Sequence, residues 1–67
     1  MKVFKIIKYD RELVCYVKAE NERHALCVYL ACHEELDDMM LWKSTREGKW
    51  KLAKYDCEEE FMFAKEA

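Results

Sequence analysis

Hydrophobic and polar positions alternate along residues 2–9 and again along 13–19, the period-two signature of half-buried strands. The two runs meet at "DRE". A tight two-residue loop at Asp10-Arg11 places Phe4 and Ile6 on one face with Leu13, Cys15 and Val17, an apolar set that predicts a core. The opposite face holds Val3, Ile7, Tyr9, Val14 and Tyr16.

After Ala19 the period changes. In "VKAENERHALCVYLACHE" Asn21 is the expected N-cap, its side-chain oxygen accepting from early N–H groups that lack partners. Ala25, Val28, Tyr29, Cys32, Leu36 and Met39 or Met40 then follow the spacing of one helical face. The helix is expected to reach about Leu36. Acids at 34, 35, 37 and 38 oppose the dipole and stop it near 37.

"MMLWKSTREGKWKLAKYD" predicts a second hairpin around Gly48, the one glycine, placed where a short loop takes positive φ. With Arg46-Glu47-Gly48 as the loop, Trp42, Ser44, Trp50 and Leu52 share a core-like face. Leu41, Lys43, Lys49, Lys51, Ala53 and Tyr55 share the other. In the tail, Asp56 with Glu59 suggests a capping box, while Phe61 and Phe63 alternate like a strand; the balance favours a short C-terminal helix over a strand. The expected architecture is one α+β domain over residues 1–67: ββαββ, an antiparallel sheet packed on one helix, plus that tail.

Size changes the picture next. With 67 residues there is no second core, and a core this small nets only about 3–5 kcal/mol. Partner binding or dimerisation is therefore an expected source of further stability. No apolar run approaches the roughly 20 residues that span a bilayer. Lysines at 2, 5 and 8 interrupt any signal-peptide apolar region, so a cytoplasmic protein with reduced thiols at 15, 27, 32 and 57 is expected. No membrane partner follows.

Net charge is −2, but its distribution is polarised. Lys43, Arg46, Lys49, Lys51 and Lys54 stand against Glu47 alone, whereas acids gather at Glu34/Glu35/Asp37/Asp38 and at Asp56/Glu58/Glu59/Glu60.

Chemistry-bearing groups are sparse. Cys27 and Cys32, at C-x4-C spacing on a helix, point about 140° apart, which suits no structural zinc site even with His24 and His33 nearby. The expectation is a packed Cys32 with exposed His24 and Cys27, and no metal. A Cys–His nucleophile needs an orienting group, an oxyanion hole and a cleft, and neither a G-x-S-x-G elbow nor a phosphate-cradling glycine loop is present. A non-enzymatic protein without cofactor is expected.

"V-K-A-E-N-E-R-H-A-L", preceded by "K-V-F-K-I", resembles the DpnD/PcfM-like group of small mobile-element proteins: a strand ending V-x-A, a polar cap, then a helix with early Ala-Leu. The resemblance covers roughly the first half of the chain. The layout is also similar to small phage anti-CRISPR inhibitors of ββαββ form. The resemblance implies a phage, plasmid or bacterial accessory protein that acts by binding, and it brings no catalytic residues.

Three binding readings follow. The first is occlusion of a host protein or ribonucleoprotein complex, with Tyr9, Val14 and Tyr16 as apolar anchors and Glu34, Glu35, Asp37 and Asp38 as charged guides. The second is nucleic-acid binding by Lys43, Arg46, Lys49, Lys51 and Tyr55, where cations flank an aromatic platform. The third is a structural homodimer through the first hairpin.

Overall fold

The computed structural model describes residues 1–36, 38–43, 49–54 and 60–67, without the side chains of Trp42, Glu60 and Phe61. The order is β1 (Lys2–Lys8), β2 (Leu13–Ala19), α1 (Glu22–Ala31), a 3-10 turn (Glu34–Leu36), β3 (Met39–Lys43), β4 (Trp50–Lys54) and β5 (Glu60–Glu66). The fold is α+β: five antiparallel strands in the order β2-β1-β5-β4-β3, with α1 across one face.

The tail is therefore a strand from Glu60 onward, not the short helix expected from its local pattern; the Asp56/Glu59 pair lies outside the described residues. From Glu60 onward tertiary pairing decides the conformation. β5 hydrogen-bonds to β1 on one side and β4 on the other, and Met62 is buried between them. The last strand thus sits in the middle and joins two hairpins into one sheet.

The first hairpin turns through three residues, Tyr9, Asp10 and Arg11, rather than two. The Arg11 N–H donates to the Lys8 carbonyl (2.9 Å) and the Lys8 N–H to the Glu12 carbonyl (2.9 Å). Arg11 has φ 73°, the left-handed position that ends such a loop. The Asp10 Oδ1 accepts from the Glu12 N–H at 3.1 Å. One strand position is lost at the loop and regained at a bulge. Ile6 pairs with Cys15 but Ile7 pairs with Leu13, leaving Val14 as the extra residue.

The bulge exchanges two assignments. Val14 and Cys15 both pack against the core, whereas Leu13, expected inside, is 46% exposed on the far face. Phe4 opposite Val17 keeps the expected register.

α1 begins as its sequence predicts. Asn21 Oδ1 accepts from the His24 N–H at 2.8 Å, and His24 Nδ1 accepts in turn from the Glu20 N–H at 3.0 Å, a reciprocal cap at the helix start. It ends earlier than expected. Cys32 is the C-cap, and Glu34 and Glu35, unfavourable beside the negative helix end, fall in the 3-10 turn. The buried stripe is Ala25, Leu26 and Tyr29, with Leu30 beside it, not Val28 and Cys32. Cys32 is exposed and Cys27 half-buried, the reverse of the expected pair, because the buried stripe runs through Ala25, Leu26 and Tyr29 and Cys32 is the C-cap at the helix end.

The second hairpin is in a different register. Leu41 pairs with Leu52, Trp42 with Lys51 and Lys43 with Trp50, so an even number of residues separates the last pair where a three-residue loop implies an odd number. A one-residue slip moves every β3 side chain to the other face. Leu41, expected outside, packs against the core with Leu52 and Trp50. The loop containing Gly48 lies outside the described residues. The core gathers Phe4, Ile6, Ala19, Ala25, Leu26, Tyr29, Leu52 and Met62 between helix and sheet.

Candidate functional site

α1 covers one sheet face; the other is open over β2, β1 and the adjoining part of β5, whereas Ala53, on that same face of β4, is fully buried. Cross-strand register assigns the positions on this face: Lys18 and Tyr16 on β2, Val3, Lys5 and Ile7 on β1, Lys65 and Phe63 on β5, Lys51 and Ala53 on β4 and Met40 on β3, with Glu60 at the β5 position opposite Ala53. Leu13 joins them through the bulge. Val3 is 40% and Tyr16 59% exposed.

Two rows run across this face. Leu13, Ile7, Phe63 and Lys51 are successive partners in one, and Tyr16, Lys5 and Lys65 in the other. Arg11 reaches over the Phe63 ring, its guanidinium carbon 5.8 Å from the centroid. The left-handed turn residue therefore delivers a fifth cation to the same surface. Among the described side chains at these strand positions there is no carboxylate.

The described acids lie elsewhere. Asp10 and Glu12 sit at the first turn, Glu20 and Glu22 at the helix start, Glu34, Glu35 and Asp38 between α1 and β3, and Glu66 on the helix side of β5. Lys8 pairs with Glu12 and Lys2 with Glu66, both pairs exposed. Lys2, Lys8, Lys43 and Lys54 take helix-side register positions, so the open face holds only part of the described cations.

The expected anchors and guides do not form one surface. Tyr16 lies on β2, at one edge of the sheet, whereas Glu34, Glu35 and Asp38 precede β3, at the other edge. Tyr9 is exposed in the first turn and Val14 packs inward; Asp37 lies outside the described residues. Glu35 Oε1 accepts from His33 Nδ1 at 3.0 Å. Its own backbone N–H and His33 hold the carboxyl below its ordinary value, although it is fully exposed.

The basic hairpin is likewise divided. Lys43 shares the helix side with Trp50, its ammonium 5.8 Å from the ring centroid, and Arg23 of α1 approaches the same ring at 5.3 Å. Lys51 occupies the open face, Lys49 is exposed just before β4, and Arg46 and Tyr55 lie outside the described residues. The residues that join Lys51 on the open face are lysines from the other strands, which sequence reading missed. Lys5 was visible in the β1 alternation, but Lys65 was hidden by the helical reading of the tail.

The thiols form no site. Cys15 is packed at the core edge, and burial pushes its thiol up, away from a nucleophilic thiolate. Tyr29 stacks at a tilt against His33, ring centroids 4.2 Å apart. Among the described residues, no three of His, Cys, Asp and Glu come together as a metal site, and no helix is long and apolar enough to cross a membrane. No family model, no curated protein and no solved structure matches this chain.

Proposed function

We propose that the chain is a non-catalytic binding protein of phage or mobile-element type, acting in a bacterial cytoplasm by occluding a host protein or protein–nucleic acid complex. The observation that carries this reading is the sheet with one face covered and the other open, where Leu13 and Tyr16 remain exposed beside a set of lysines. A surface of isolated apolar groups among like charges suits docking to a partner of opposite charge.

Its breadth is adequate. The molecule extends 31 × 29 Å in its two longer dimensions, enough for the roughly 800 Å² that each partner contributes to a standard interface. The docking residues in this reading are Leu13, Tyr16, Ile7 and Phe63, with Leu13 taking the place of Val14. The acidic segment Glu34, Glu35 and Asp38 belongs to a separate surface.

The test is capture of a partner from bacterial lysate, with and without nuclease, by the wild type and by Leu13→Asp/Tyr16→Asp. Loss of capture in the double variant, with its far-ultraviolet circular dichroism unchanged, supports the open face as the docking surface. Undiminished capture rejects it.

A further inference from the structure

We propose that the open sheet face binds single-stranded nucleic acid, with Lys5, Lys18, Lys51 and Lys65 following the phosphates and Tyr16 and Phe63 stacking bases. This rests on the reading of the open face as the docking surface and names the chemistry of its occupant.

Charge points to an anion. Four lysines contributed by four adjacent strands, and Arg11 above Phe63, converge on one face, against one acidic register position, Glu60, near the β4 end of β5. Lys5 and Lys65 are direct partners across β1 and β5. Like charges directly opposite on one face disfavour the sheet unless something anionic lies between them. A phosphate chain supplies that anion, and its binding is favoured by release of its condensed counterions.

The rings point to unpaired bases. Tyr16 and Phe63 lie on strands separated by β1 and are offset by two residues along it, since Lys5 opposes Tyr16 and Ile7 opposes Phe63. Strand spacing and rise place the two positions roughly 12 Å apart. Rings set between lysines on a sheet surface can stack unpaired bases, whose π faces a duplex would keep covered. The occupant is therefore a single strand.

The sugar is not distinguished. The phosphate and base contacts of this face are common to both kinds of strand. Binding of both deoxyribose and ribose strands is therefore expected. A second copy of the chain fits poorly, because two-fold packing of this face would set lysines against lysines.

The experiment is fluorescence anisotropy of purified protein with labelled dT and U oligomers of about twelve nucleotides, a duplex of equal length, and phosphatidylserine vesicles by co-sedimentation. Binding of both single strands above the duplex is expected, with log Kd against log salt rising at a slope of about 3 for four phosphate contacts. Lys5→Gln/Lys65→Gln should weaken binding at least tenfold, and Tyr16→Ala about fivefold or more. Tyr16 is exposed, so this variant preserves the fold even if Phe63→Ala does not. Lys54→Gln, at an exposed helix-side register position, removes one equivalent charge and should change little.

No oligomer binding at low salt, equal weakening by Lys54→Gln, or binding of vesicles alone overturns the proposal. Should oligomers fail while Leu13→Asp/Tyr16→Asp still abolishes lysate capture in nuclease-treated extract, the nucleic-acid inference falls and the occlusion reading stands. Oligomer binding through these lysines, with capture unaffected by the double variant, upholds the open face as a nucleic-acid surface and places the captured protein elsewhere.

Discussion

Lys5 and Lys65 oppose each other across the two central strands β1 and β5, on the face that α1 leaves open. A fold selected for stability alone would place opposite charges there. Lys65→Glu is expected to raise stability by roughly 0.5–1 kcal/mol in urea unfolding, while weakening oligonucleotide binding. A stabilised variant with undiminished binding would separate this pair from function.

Arg11 occupies the left-handed region at the end of the first turn, a conformation that costs a residue with a Cβ about 1–2 kcal/mol. Asn tolerates that region better. Arg11→Asn should therefore stabilise the hairpin by up to about 1 kcal/mol, less whatever the contact with Phe63 contributes. A lowered urea midpoint would show that the contact outweighs the backbone cost.

The reciprocal cap at Asn21 and His24 satisfies one N–H at the helix start and one just before it. Asn21→Ala is expected to cost about 1 kcal/mol and Asn21→Ser much less, read from thermal unfolding. Equal losses would mean that the side-chain acceptor is not what holds this end.

Leu26 is fully buried on the sheet-facing side of α1. Leu26→Ala should cost about 2–5 kcal/mol, comparable with the whole margin of about 3–5 kcal/mol for a core of this size. Loss of cooperative unfolding at 25 °C is the expected result, and a sharp native-like transition would contradict it.

Burial raises the titration range of the Cys15 thiol and, chiefly for the same reason, that of the Tyr29 phenol. In the unfolded chain these protons leave near about pH 8.5 and 10, while the folded chain still holds them. The unfolded state then binds fewer protons, so stability is intact below about pH 8.5 and declines as pH rises beyond it. Thermal midpoints measured from pH 7 to 10.5 should fall, and Cys15→Ala should flatten the earlier part of the decline.

The first half of the chain was largely legible because its signals are local. Alternation, an Asn cap and an apolar stripe each act within a few residues, and β1, β2 and the start of α1 lie where they point. The errors arose where one residue of register decides a face. Arg11 adopting positive φ lengthened the turn, the bulge at Val14 restored the pairing, and Leu13 and Val14 changed places. In β3 the same one-residue difference carried Leu41 inward and Lys43 to Trp50. The open basic face was least legible, because its lysines come from four strands and converge only when β5 enters the sheet. Nothing near Lys65 in the sequence announces Lys5.

The central position of β5 also sets an order of events. β1 and β4 can each pair with their hairpin partners early, but their inner edges remain bare until residues 60–66 arrive between them. Phe4 finds Glu66 across nearly the whole sequence, a closure that slows folding relative to local hairpins. During that interval two unpaired strand edges are open to other chains, so misassembly competes with folding most strongly just before the final strand docks. Raising protein concentration during refolding should therefore divert molecules at this step, before the two halves of the sheet have become one.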